Sequence, residues 1–176
     1  MIIERTQSGV RLEKRLVQTL NRLVEHEGGN LGQKLEEIVA HAFEGKGACA
    51  WSPQDLKRVA QTKKACGLNY DPHAVYRFKE ANDRVLESRS GRPLAVQRVQ
   101  VGFKMEKRML KVLKAIAELY DFTMGRTMEE IILHQMEGVD AFLPASIKKI
   151  RLLQKVYGMT YKTHATYGFR QPAEVR

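Results

Sequence analysis

The sequence predicts a mainly α-helical protein with one short two-stranded antiparallel β-ribbon, assembled from two copies of a single unit. Three observations carry this. Arg5–Gly45 slides onto Arg98–Gly138 without a gap, and 15 of 41 positions are identical. Each copy opens on a segment of period 2. Each then changes to helical spacing and stops at glycine.

In the first copy Ser8, Val10 and Leu12 fall on one side of a strand over 5–12, and Gln7, Gly9 and Arg11 on the other. In the second, Val101, Phe103 and Met105 oppose Gln100, Gly102 and Lys104 in a strand over 98–105. A first helix carries Leu16, Leu20, Leu23 and Val24, matched by Met109, Leu113, Ile116 and Ala117. The turns G-G-N-L-G (28–32) and D-F-T-M-G (121–125) end it. A second helix carries Leu35, Ile38, Val39, Ala42 and Phe43, matched by Met128, Ile131, Ile132 and Met136, with stops at Gly45 and Gly138. Pro53 and Pro144 open a third, basic helix. Further on, G-L-N-Y-D-P-H-A-V-Y-R-F from Gly67 repeats as G-M-T-Y-K-T-H-A-T-Y-G-F from Gly158. The organisation is therefore a first strand–helix–helix copy (1–45), a basic extension with an aromatic element (46–78), a linker (79–97), a second copy (98–138) and a second extension (139–176). A lone strand followed by two helices cannot pair its own edges, so the two copies are expected to complete each other.

Composition narrows the partners. Lys and Arg number 30 against 20 Asp and Glu, a net charge of +10. Such an excess attracts polyanions, most often nucleic acid but also a membrane surface, and does not by itself choose between them. No apolar run reaches the ~20 residues of a membrane span. The start M-I-I-E-R-T-Q-S lacks a long apolar run, so no signal peptide and a cytoplasmic location are expected. Cys49 and Cys66 lack C-x-x-C spacing and clustered His, so neither a disulfide framework nor a zinc site is predicted, and no cofactor is expected.

Strand, helix and helix, duplicated, resemble the ribbon-helix-helix family of the Arc, MetJ and CopG repressors, over 5–45 and 98–138. The resemblance implies a tandem pseudo-dimer whose ribbon enters the DNA major groove and reads bases with its outward residues. By position these are Gln7, Gly9 and Arg11, and Gln100, Gly102 and Lys104. The residue types suit base reading, since Gln pairs with adenine, Arg or Lys with guanine, and glycine permits close approach to a base edge or thymine methyl. Read without the family, Q-x-G-x-[R/K] is the polar face of an edge strand. The resemblance also implies phosphate anchoring at the start of the second helix, at Asn30, Gly32 and Gln33 and at Thr123, Gly125, Arg126 and Thr127. Asn30 and Thr123 can serve as N-caps at the same time. Arg5 and Arg98, one step outside the glutamines, are expected at the DNA backbone.

The extensions depart from the family unit. Residues 1–45 carry 6 basic and 7 acidic groups and 94–138 carry 7 and 6, whereas 46–93 carry 10 and 5 and 139–176 carry 7 and 2. The basic excess thus lies in the extensions. Lys57 and Lys64 recur as Lys148 and Lys155, seven residues apart and so on one helix face. That face is either solvated or in contact with phosphate. Tyr70, His73, Tyr76 and Phe78, with Tyr161, His164, Tyr167 and Phe169, either close a small core or stack on bases, packing being the favoured reading. His41 and His134 are expected to pack. With no nucleophile or carboxylate beside these histidines at a readable spacing, a non-enzyme is expected.

The expected role is sequence-specific regulation of transcription through double-stranded DNA. Tandem forms of the fold resemble TraY-like regulators of conjugative plasmid transfer, which implies a mobile-element setting. A relaxosome or plasmid-partition accessory protein has the same sequence features. An antitoxin-like interaction module and a single-stranded RNA binder are the rivals from other classes. Family analogy also suggests a homodimer of pseudo-dimers.

Overall fold

The computed structural model describes residues 1–80 and 93–170. In chain order the elements are β1 (Arg5–Glu13), α1 (Lys14–Glu27), α2 (Leu31–Glu44) and α3 (Pro53–Ala65). A 3₁₀ turn over Pro72–Arg77 leads into β2 (Phe78–Lys79). Then come β3 (Leu94–Ala95), β4 (Arg98–Glu106), α4 (Lys107–Leu119), α5 (Met124–Met136), α6 (Pro144–Val156) and a second 3₁₀ turn over Thr163–Gly168. The protein is mainly helical with a two-stranded antiparallel sheet. Of the expected 79–97 linker, 81–92 lie outside the described residues.

β1 pairs antiparallel with β4, with Gly9 opposite Gly102, Gln7 opposite Lys104 and Arg11 opposite Gln100. Alternation decides which face is buried: Val10, Leu12, Val101, Phe103 and Met105 point into the core. There they meet Leu16, Leu20 and Leu23 of α1 and Met109, Leu113 and Ile116 of α4, together with Ile38, Val39, Ile131 and Ile132 of α2 and α5. Burying a Leu, Ile or Met side chain contributes about 1.5–3 kcal/mol, so this shared cluster is what holds the two copies together.

The strands hand over to helices through the E-K-R tripeptide. Glu13 accepts from the Leu16 N–H at 2.9 Å and Glu106 from the Met109 N–H at 2.9 Å, so each carboxylate caps the helix it precedes. Arg15 and Arg108 then bind back onto these carboxylates at 3.0 and 2.8 Å. α1 ends at Gly28 with φ 76°, and the matching residue Asp121 takes φ 58°. Asp is among the few side chains that tolerate this left-handed region.

The copies also exchange their ends. Phe78–Lys79 pairs parallel with Leu94–Ala95, and Arg170 bridges Ile2 in the same sense. The Val96 N–H donates to the Lys79 carbonyl and the Ile3 N–H to the Arg170 carbonyl, each at 2.9 Å. The tail of each copy is thus stitched to the lead-in of the other.

Candidate nucleic-acid interface

All six outward ribbon residues are exposed on one face, as three cross-strand pairs: Gln7 with Lys104, Gly9 with Gly102, and Arg11 with Gln100. The glycines have a local purpose that the spacing alone does not reveal. A Cβ on Gly9 would stand 2.6 Å from Nε2 of Gln100, and one on Gly102 would stand 3.3 Å from Nε2 of Gln7. Each glutamine amide therefore folds over the glycine of the opposite strand. In this structure the space above each glycine holds that amide.

Arg5 and Arg98 do not stand at the surface where a backbone contact was expected. Arg5 donates through Nε and Nη2 to the two carboxylate oxygens of Glu36, at 2.9 and 3.0 Å. Arg98 does the same to Glu129, at 2.7 and 3.2 Å. Their side chains are only 7% and 14% exposed, so the guanidiniums are committed to the protein interior rather than to phosphate. Each glutamate also accepts a backbone N–H, Glu36 from Glu106 at 2.7 Å and Glu129 from Glu13 at 3.1 Å. The second helix of each copy is in this way bonded to the ribbon at both strands. No local motif marks Glu36 and Glu129, although Arg5, Glu36, Arg98 and Glu129 all fall at identical positions of the repeat.

At the start of the second helices, Asn30 accepts from the Gln33 N–H at 3.0 Å and Thr123 from the Arg126 N–H at 3.1 Å. Both are N-caps. Gly32 and Gly125 sit against the ribbon: a Cβ would meet the Lys104 carbonyl oxygen at 2.6 Å and the Arg11 carbonyl oxygen at 2.2 Å. Thr127 is buried, and its hydroxyl donates to the Thr123 carbonyl at 3.0 Å, so its side chain braces the helix instead of facing an anion. Arg126 lies against the Phe122 and Tyr76 rings, 4.9 and 5.7 Å from their centroids, and Nη2 donates to the Tyr76 carbonyl at 3.1 Å. Asn30 is exposed and Gln33 stands beside it on the first turn of α2.

The third helices pack on the first helix of their own copy, through Val59 and through Ile147 and Ile150. Lys57, Lys64, Lys148 and Lys155 are exposed, and among the described residues none is in an ion pair. Lys63 behaves differently. It is buried and pairs with Glu137 of the other copy.

Tyr70, Phe78, Tyr161 and Phe169 of the aromatic element pack, whereas His73, His164 and Tyr167 are exposed. Tyr70 and Phe78 meet edge to face at 5.0 Å, and Tyr161 and Phe169 at 4.9 Å. Arg15 lies over Tyr70 and Arg108 over Tyr161, at 4.9 and 5.2 Å. Tyr76 donates to Glu130 of the second copy, and Tyr167 donates to Glu37 of the first at 2.8 Å. Partial desolvation of the hydroxyl, reinforced by the bond to Glu37, pushes Tyr167 up to about 12, although the residue as a whole is exposed. The histidines of the second helices bond their own backbone, His41 to the Glu37 carbonyl and His134 to that of Glu130, each at 2.7 Å.

A cavity of about 800 Å³ lies away from the ribbon, between α2 and the start of α3, and is lined in part by Lys34, Trp51 and Tyr167. Its lysine is already held by Glu27 at 2.7 Å and Glu37 at 3.0 Å. Both cysteines are free thiols, and among the described residues no cluster of His, Cys, Asp and Glu could hold a metal ion. Among the described residues no helix is long and apolar enough to cross a membrane. Comparison with family models, curated proteins and solved structures yields no match to this chain.

Proposed function

We propose that this chain is a tandem ribbon-helix-helix protein that binds double-stranded DNA in a sequence-specific manner, as a transcriptional regulator. One observation carries the reading: a two-stranded ribbon buries one face in the core and offers Gln7, Arg11, Gln100 and Lys104 on the other. Two strands ~4.8 Å apart form a ribbon narrow enough for the ~12 Å major groove, and nine residues extend it over about 30 Å. The exposed side chains are amides and cations, the groups that bond adenine and guanine edges. They are mounted on a core that fixes their register, which is what discrimination between bases demands.

Affinity needs phosphate contacts in addition. Arg5 and Arg98 being internally paired, we assign these contacts to Lys57, Lys64, Lys148 and Lys155, with Asn30 and Gln33 at the second-helix turn. The experiment is selection of a preferred duplex from a random pool, followed by binding of the Gln7→Ala, Gln100→Ala double variant. A loss of about 1–3 kcal/mol on the preferred site for each base contact removed, with non-specific binding little changed, is expected. Undiminished selectivity would remove the ribbon as the reading element. Equal affinity for single-stranded RNA would replace DNA as the target.

A further inference from the structure

The two cations on the exposed ribbon face are not equivalent. Lys104 is exposed and, among the described residues, makes no ion pair. Arg11 is held. Its Nη2 donates to Oε1 of Glu80, the residue that follows β2, and also to the Arg98 carbonyl at 3.3 Å. The same Glu80 oxygen accepts the Arg98 N–H at 3.3 Å, which seats the carboxylate across the end of β4. Arg11, Glu80 and the backbone of Arg98 therefore form a closed ring of three hydrogen bonds.

The consequence follows from the shape of a guanidinium. It can present two parallel N–H groups along the Nη1/Nη2 edge or along the Nε/Nη2 edge, and both edges include Nη2. Arg5 and Arg98 use the second edge on their glutamates. In Arg11 the Nη2 group already donates to Glu80 and to the Arg98 carbonyl. Nη2 belongs to both forks, so a bidentate grip on guanine O6 and N7 competes with the bonds this group already makes, the charged one to Glu80 first among them.

We propose that Glu80 is an intramolecular competitor for Arg11, a latch that DNA must displace before the first-copy half of the ribbon can read guanine. The proposal rests on the ribbon being the reading element. The latch is weak enough to open, because Arg11 is 58% and Glu80 25% exposed, and solvent-exposed ion pairs contribute little. It is specific to one half: the repeat partner of Glu80 is Gln171, which lies outside the described residues but carries no charge. A carboxylate near the groove also repels phosphate, so a duplex that cannot engage Arg11 meets the full opposing charge. One half of the site would thus be read conditionally and the other freely.

The test is a double-mutant cycle on the full chain. Glu80→Gln keeps the side-chain shape and supplies the residue that the second copy has at this position. Four proteins are titrated against the selected duplex: parent, Glu80→Gln, Arg11→Ala and the double variant. Thermal melting of each verifies the fold. The latch predicts that Glu80→Gln tightens binding about two- to fivefold, the range that an exposed ion pair accounts for. In the Arg11→Ala background the same substitution should give a clearly smaller gain, limited to the relief of phosphate repulsion. An equal gain in both backgrounds would mean that Glu80 acts only as a general repulsive charge, and would overturn the latch. Weaker binding by Glu80→Gln would mean that the carboxylate supports Arg11 in its bound pose, and would overturn it too. If Arg11→Ala itself left binding unchanged, the ribbon reading would fall and the latch with it. A weakened Arg11→Ala beside a null Glu80→Gln would remove the latch alone.

Discussion

Gly9 faces Gly102 across the β1–β4 ladder, and each is the repeat counterpart of the other. The pairing is therefore symmetric about this point. It brings Gln7 opposite Lys104 at one end and Arg11 opposite Gln100 at the other, an amide beside a cation in each case. The register is locked from below. A one-residue slip of β1 would turn Val10 and Leu12 toward water, and one of β4 would turn Val101 and Phe103, losing the shared burial either way. The exposed face thus inherits its geometry from the core.

The central glycines can be tested separately from the core. In Gly9→Ala the closest obstacle to the added methyl is the mobile end of Gln100, so the amide swings aside and the backbone stays put. Urea unfolding should show a change within about 0.5 kcal/mol, as for other surface substitutions. If the ribbon reads DNA as proposed, binding to the preferred duplex should weaken, and discrimination should relax at one base pair. A variant with parental selectivity would show that the resting position of the amide does not matter.

Gly32 and Gly125 should behave in the opposite way. A methyl on Gly125 would approach the Arg11 carbonyl oxygen to 2.2 Å, and one on Gly32 the Lys104 carbonyl oxygen to 2.6 Å. Both obstacles are backbone and cannot rotate away. Overpacking of this kind costs about 1–3 kcal/mol. Gly125→Ala should cost more than Gly32→Ala, measured by urea midpoints, because its approach is closer. Because β1 must shift to admit the methyl, Gly125→Ala should also weaken the proposed DNA binding through Arg11. Gly28→Ala, whose added Cβ meets no atom within 4 Å, should alter stability through its φ of 76° without touching the ribbon.

Much of the fold was legible because the repeat supplied two readings of each element. Period-2 alternation at 5–12 and 98–105 located the strands, and glycine and proline marked the helix ends. The partners of the ionic residues were harder to see. Arg5 and Glu36 stand 31 residues apart, so no local pattern links them. Their only signal was identity at both ends of the pair in both copies. Arg5 and Arg98, as cations beside the outward ribbon face, suggest phosphate, and the burial of Glu36 and Glu129 reverses that. Tyr70 and Tyr161 pack as their aromatic spacing suggests, but the arginines that hold them come from the E-K-R tripeptides. Glu80 was invisible for a different reason: the second copy has Gln171 at the matching position, so the repeat could not point to a carboxylate there.

The lysines of α3 and α6 have a quantitative signature. Replacing Lys57, Lys64, Lys148 and Lys155 by Ala removes four exposed charges that form no ion pair among the described residues, so folding should be unchanged. If each contacts a phosphate, the slope of log K against log salt should flatten by about 0.9 per lysine, and all duplexes should weaken alike. An unchanged slope would return these residues to the solvated face of a helix.

The last prediction concerns acid and separates the two copies. Glu106 is buried, and burial by itself would raise its carboxyl. Hydrogen bonds from the Tyr161 hydroxyl at 2.6 Å, Arg108 at 2.8 Å and the Met109 N–H at 2.9 Å outweigh this and hold it below the ordinary carboxylate value. A carboxylate whose folded pKa is lowered stabilises the fold above its unfolded pKa and loses that contribution as pH falls through the folded value. Tyr161→Phe removes one donor to a charged acceptor, and should cost about 1.5–3 kcal/mol at pH 7. The cost should shrink when unfolding is measured in acid, where Glu106 takes up a proton. In the first copy the Tyr70 hydroxyl accepts from Arg15 instead of donating to the capping glutamate. Tyr70→Phe should therefore have a cost that varies far less with pH. Matching pH profiles for the two variants would show that the tyrosines act alike, as packing residues, and that the Glu106 carboxylate does not depend on Tyr161 for its charge.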